Sequence, residues 1–208
     1  MILEACAETY QEALTAQNNG ANRIELCSHL ELDGLTPDTG LMKKVCADLN
    51  IPIMVMIRPR GGNFVYSEAE IMSMEKEIAM VKKMGVAGIV FGLLTPDNRI
   101  DVANTRRLAQ AASPLPVTFH KAIDAMEDPV EGVKQLLQIE GITRILTSGG
   151  KPTALEGASK IKEMMKVADG KIIMLVAGKV ILSNRDEIAA LTGATELHGR
   201  RIVGELNI

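Results

Sequence analysis

At 208 residues, 47% of them apolar and 24% charged, the chain has the composition of one globular domain with a substantial core, which excludes a disordered or fibrous protein. A net charge of -3 without long charged runs offers little to nucleic acid or an anionic membrane, and 2% aromatics with no Trp leave few surfaces for stacking bases. The N-terminal residues carry no basic segment followed by an apolar one, no stretch reaches the ~18 apolar residues of a bilayer span, and Cys6, Cys27 and Cys46 are too scattered for a disulfide framework, so the cytoplasm is the expected location.

Along the chain, short apolar runs alternate with segments of helical period. A strand over 2–6 (ILEAC) leads to a helix over 8–18, and a strand over 23–27 (RIELC) to a helix over 37–49. A strand over 52–58 (PIMVMIR) precedes a helix over 67–84, one over 88–94 (GIVFGLL) a helix over 101–112, and one over 116–120 (PVTFH) a helix over 128–139. Strands over 143–148 (TRILTS) and 172–177 (IIMLVA) precede helices over 153–168 and 184–192, and 195–198 (TELH) is the eighth strand. Thr36-Pro37, Ser67 with Glu70, and Asp128-Pro129 are helix starts, while Gly20, Gly85, Gly141, Gly170 and Gly193 mark helix ends.

Eight strands, with no Gly-x-Gly-x-x-Gly after the first, favour a single α/β domain over residues 1–208, a (β/α)8 TIM-type barrel rather than an open doubly wound sheet. Only GRRIVGELNI follows the eighth strand, so the final helix is expected to be reduced or missing. The barrel surface thereby left uncovered points to a homodimer.

In such a barrel the working surface is the rim at the C-terminal ends of the strands, and alternation along each strand sorts residues into inward and outward sets. Glu4 and Cys6 share one face, opposite Leu3; Glu25 and Cys27 share one, opposite Ile24 and Leu26. The same parity groups Met54, Met56 and Arg58, Thr118 with His120, and Glu196 with His198. The polar set therefore faces inward, where unpartnered charges would each cost several kcal/mol, and must pair or meet a ligand. Arg58 reads either as a counter-ion for Glu4 and Glu25 or as an anion holder. Loops after the third and sixth strands add Arg60 with Gly61-Gly62, and Ser148 with Gly149-Gly150, candidates to cradle an anion through guanidinium and backbone N–H groups. His29 reads as a loop residue and Cys46 as an inert helix residue.

The segments GANRIELCSHLELDGLTP, MVMIRPRGGNFVYS, GIVFGLLTPD, PVTFHKAID and TRILTSGG resemble the CutC family of copper homeostasis proteins, and LVAGK and ELHG resemble it less closely. The resemblance implies a TIM-type barrel, a cytoplasmic protein and a link to copper tolerance and Cu(I) binding. The cysteines proposed as ligands in that family fall on Cys6 and Cys27. Met56 is a thioether candidate beside them, since soft sulfur ligands select Cu(I). Where the family usually has Gly-Gly-Val, this chain has Gly178-Lys179-Val180, which puts a tight backbone contact to a ligand there in doubt.

Two functional readings stay open at this point. One is a copper-handling protein whose ligand is a copper ion held by Cys6 and Cys27. The other is an enzyme acting on a small anionic metabolite, phosphorylated or carboxylated, with Arg58 and Arg60 holding the anion, Glu25 and His120 as an acid/base pair, and Glu4 as a further carboxylate.

Overall fold

Eight parallel strands pair in sequence order and close on themselves in the computed structural model, which describes residues 1–206. The strands are β1 (Ile2–Ala7), β2 (Arg23–Leu26), β3 (Ile53–Met56), β4 (Gly88–Phe91), β5 (Val117–Phe119), β6 (Ile142–Thr147), β7 (Ile173–Val176) and β8 (Glu196–His198). The intervening helices are α1 (Tyr10–Asn18), α2 (Thr39–Asp48), α3 (Glu68–Val81), α4 (Val102–Ala112), α5 (Pro129–Leu136), α6 (Ala154–Ala168) and α7 (Arg185–Thr192). β8 lies against β1 with Ile2 opposite Glu196 and Glu4 opposite His198. This is the TIM-type barrel that the alternation predicts. After β8 the described residues form turns and isolated bridges, with no closing helix.

Local chemistry sets the element boundaries. Ser67 and Glu70 satisfy each other's backbone N–H groups in a capping box at α3, and Thr153 with Glu156 does the same at α6. Asp128 caps α5 ahead of Pro129, whose fixed φ and missing N–H suit the first helical turn. At α2 the cap is Asp38, which accepts from the N–H groups of Gly40 and Leu41, rather than the Thr36-Pro37 pair. Thr36 instead donates to Glu77 and accepts from the backbone N–H of Arg58. Two short 3-10 helices, Leu30–Leu32 and Lys121–Ala125, have no periodic signature in the sequence and follow strands at the working rim; a third, Lys82–Met84, tightens the end of the helix expected over 67–84.

Outward strand residues such as Ile24, Leu26, Val55, Ile89, Phe119 and Leu197 pack under the helices in one continuous buried layer. Each large apolar side chain removed from water there stabilises the fold by about 1.5–3 kcal/mol. Inside the barrel the apolar material is much smaller: Cys6, Cys27, Met54, Met56 and Val90 on one side, and Leu146, Leu175 and Ala177 on the other. Polar side chains fill the remainder, as the strand parity predicts.

Candidate metal and ligand site at the barrel mouth

Two polar layers occupy the barrel. The lower one is an ion network. Arg23, at the start of β2, donates to Glu4 and to Glu196, and Arg144 Nε donates to Glu196 at 2.9 Å. His198 Nδ1 meets the other oxygen of Glu4 at 2.8 Å, so both oxygens of that carboxylate are engaged. The counter-ion of Glu4 is therefore Arg23, not Arg58. Arg23 has the same strand parity as Glu25 and Cys27, a signal that was present in the sequence.

Charge in this layer is shared among neighbours. Burial works against ionisation of Glu4, but the hydrogen bond with His198 and the charge of Arg23 outweigh it and hold the carboxyl below its usual range. Burial likewise disfavours a charged His198, yet Glu25 and Glu4 outweigh it and raise the ring's pKa. Glu25, one step above at the height of Cys6, faces His198 Nε2 at 3.7 Å, but burial outweighs the charges of His198 and Arg23 and raises its carboxyl, and its Oε1 has no hydrogen-bond partner among the described residues.

Above this layer lies the thiol pair. Cys6, near the end of β1, is aligned in register with Glu25, and Cys27 comes just after β2, two residues further on. The thiols thus stand one strand repeat apart rather than at equivalent heights. Their inward lean across the curved wall still brings the sulfurs to 3.4 Å, while the backbone N–H of Cys27 donates to Ala7 and fixes the second residue. Both are buried, and the sulfurs with a Glu25 oxygen lie within 4.8 Å of one another. The hydrogen bond with Cys27, then burial, pushes the Cys6 thiol well above the usual range. Cys6 faces a cavity of about 340 Å³, and Gly34 closes over Cys27, where an added Cβ would sit 3.5 Å from the Cys27 Cβ. Met56 belongs to the same buried cluster and lines the cavity, whereas Cys46 lies away on α2.

The opposite wall of the cavity is built from Arg58, Phe64 and His120. Arg58, 2% exposed, donates through Nη1 to the carbonyls of Leu32 and Gly34 and through Nη2 to that of Gly62; it makes no ion pair among the described residues, and its Nε–H has no acceptor. The guanidinium and the His120 ring each lie 5.0 Å from the Phe64 ring centre. His120 follows β5, and its Nδ1 accepts from the backbone N–H of Ala122, which leaves the ring proton on Nε2, again without a partner. Burial, helped by the charge of Arg58, pushes this imidazole down to about 3, so it stays neutral. Gly92 makes room for it: a Cβ there would lie 2.4 Å from His120 Nδ1.

Other rim residues are already occupied. Arg60 points away from the cavity, bonds Glu70 and the carbonyls of Asn63 and Val65, and stacks on Tyr66. Asp124 takes the backbone N–H groups of Ser148 and Gly150 as well as the Thr147 and Ser148 hydroxyls, and Thr147 Oγ1 takes the N–H of Gly149. The Ser148-Gly149-Gly150 amides, read from sequence as an anion cradle, are thus spent on the chain's own Asp124 carboxylate and Thr147 hydroxyl. Gly149 is small because α6 passes against it, where a Cβ would meet Gly157 O at 2.5 Å. Asp124 stands in the 3-10 helix after β5; it closes the segment PVTFHKAID, but no helical or strand period marks its role. Lys179, with φ +55°, is exposed and donates nothing to the cavity wall.

Comparison with known proteins agrees with this architecture. The family model described as the CutC family matches residues 1–203. The copper homeostasis protein cutC homolog of Homo sapiens is 42% identical over 197 residues, covering 95% of this chain and 72% of that one. A CutC family protein of Parabacteroides distasonis is 45% identical over 198 residues, covering 95% and 81%. The crystal structure of a copper homeostasis protein CutC from Streptococcus agalactiae superposes with a TM-score of 0.91 at 34% identity, covering 97% of this chain and 99% of that one. An aldolase, QR15, superposes with a TM-score of 0.70 at 13% identity over 99% and 92%, a likeness of fold alone. With strand order and sequence in agreement over nearly the whole chain, the protein belongs to the CutC family.

Proposed function

We propose that the chain handles copper in the cytoplasm by taking up Cu(I) on Cys6 and Cys27. The observation that carries this reading is the 3.4 Å separation of the two sulfurs in a buried, sulfur-rich pocket that opens on a cavity through Cys6. Thiolate and thioether donors select Cu(I) over the harder divalent ions. The separation is shorter than two metal–sulfur bonds of ~2.3 Å laid end to end, so an ion touching both sulfurs is held bent and stays open on one side to a third donor. Glu25 stands within reach on that side, and Met56 is the neighbouring thioether. Because the Cys6 thiol is held protonated, uptake releases protons and strengthens as pH rises. The copper-homeostasis names of the relatives support the same reading.

Titration with Cu(I) under strict reduction tests it. Cys6→Ala and Cys27→Ala each weaken binding, and the double variant abolishes it; unchanged stoichiometry and affinity in the double variant would overturn the assignment.

The alternative, acid/base chemistry by Glu25 and His120 on an anionic metabolite, fits the cavity less evenly. A histidine held neutral down to about pH 3 is a poor proton acceptor and a good hydrogen-bond donor, so the mouth favours binding over proton transfer at this residue. On oligomeric state, we propose a dimer contact at Leu182, 50% exposed in the loop after β7 and bonded through its N–H to Arg201 in the segment that stands where a closing helix would; sedimentation as a monomer at micromolar concentration would remove it.

A further inference from the structure

The cavity holds a set of unanswered hydrogen bonds that a copper ion does not explain. Three of the residues that line it each carry a buried polar atom without a partner among the described residues: Arg58 (Nε–H), His120 (Nε2–H) and Glu25 (Oε1). Leaving such a group dry costs about 1–3 kcal/mol each, more where it is charged. Two are donors, both flanking the Phe64 ring; the third is an acceptor beside Cys6 on the opposite wall. His120 is locked as the Nε2–H tautomer by the Ala122 N–H, so it cannot turn a lone pair toward a metal ion without breaking that bond. Arg58 is fixed by three backbone carbonyls and has the Tyr66 hydroxyl nearby, but no carboxylate of the described residues pairs with it, so its charge has no counter-charge until an anion enters.

We infer that this cavity binds a small hydroxy- or amino-carboxylic acid, its carboxylate on Arg58 and His120 and its hydroxyl or amine donating to Glu25. Two side-chain N–H donors match the two oxygens of a planar carboxylate. A phosphate, with three charged oxygens, would call for more donors than these two, and the Ser148, Gly149 and Gly150 amides that could add them are closed by Asp124 and Thr147. Of the remaining charged groups in the wall, Asp124 is committed to that loop and faces Lys121 at 3.8 Å, Asp33 sits at the exposed edge, and His198 is paired with Glu4 and stands 3.7 Å from Glu25 Oε2, the oxygen opposite the free one. A volume of about 340 Å³ suits a molecule of a few carbon atoms. The inference does not rest on copper uptake, although the bound acid would lie next to Cys6.

The test is calorimetric titration of the reduced, metal-free protein with glycerate, malate, serine and inorganic phosphate, each up to ~10 mM, where even a millimolar site fills. Saturable binding of at least one of the three carboxylic acids, and none of phosphate, is expected. His120→Asn places an oxygen where Nδ1 accepts from Ala122 but removes the Nε2 donor; it weakens binding about tenfold or more, the worth of one hydrogen bond to a charged group. Glu25→Gln, which keeps the shape of the wall, weakens binding too and carries the test if the first variant does not fold. The Cys6→Ser/Cys27→Ser variant keeps the response, so the inference survives failure of the copper reading. Silence from all three acids, binding of phosphate alone, folded His120→Asn and Glu25→Gln proteins that bind like the wild type, or loss of the response with the thiols would each overturn it.

Discussion

The floor and the mouth of the barrel are both buried, polar and charged, yet they are finished to different degrees. At the floor every charge has its partner: Arg23 with Glu4 and Glu196, Arg144 with Glu196, and Glu4 with His198. At the mouth Arg58 has carbonyls but no counter-charge, His120 has a proton with nowhere to go, and one oxygen of Glu25 accepts nothing. Polarity inside a barrel is therefore not by itself a mark of function. The saturated layer specifies how the strands close, and the unsaturated one is what a ligand can complete.

The largest expected effect breaks the floor. Arg23→Met takes one charge partner from each of two buried carboxylates, leaving Glu4 with His198 and Glu196 with Arg144, and urea denaturation should show a loss of about 3–5 kcal/mol, against a small change for His120→Asn at the mouth, which removes a donor that had no acceptor. A stable Arg23→Met protein would erase the distinction between the layers.

Next comes pH. His120 titrates at about 3 in the fold against an ordinary 6.5, so the unfolded chain takes its proton first. Its contribution is complete above the ordinary value and drains as pH falls toward the folded one, by about 1.4 kcal/mol per pH unit. Urea midpoints between about pH 4 and 6.5 should show that slope, and His120→Asn should flatten it. The floor groups behave differently. Glu4, held low, contributes above the ordinary carboxylate range and loses its contribution in stronger acid, while His198, held high, contributes fully below its ordinary value and fades as pH rises through its folded one. The smallest effect is Lys179→Gly: relief of a left-handed backbone and the added freedom of glycine nearly cancel, leaving stability within ~1 kcal/mol of wild type, with copper and acid titrations unmoved.

The fold was legible because its signals are local and repeat: eight apolar runs, helical periods between them, and caps such as Ser67 with Glu70 agree unit after unit. Strand parity also placed Glu4, Cys6, Glu25 and His198 inside the barrel before any coordinates. What parity could not supply was pairing across the barrel. It grouped Arg58 with the inward set, but the choice between Glu4 and three loop carbonyls as its partners depends on how residues 30–34 fold over the rim, where no period operates. The Gly149-Gly150 loop looked open for the same reason: Asp124 reaches it from a turn more than twenty residues earlier. Arg23 was legible and passed over, because a charge at the very start of a strand reads as a surface residue until its neighbours are known.

The joining of β8 to β1 has a consequence for the order in which the protein comes into being. Cys6 and Cys27 meet across 21 residues of chain, within the first strand–helix–strand unit, whereas Glu4 and His198 meet across 194. Contacts between near neighbours in sequence form early and those between the two ends form last, the more so when the N-terminal end is synthesised first. The thiol pair can therefore assemble while the wall that will surround it is still missing. Seating of His198 against Glu4 is then the event that turns an exposed pair of sulfurs into an enclosed site.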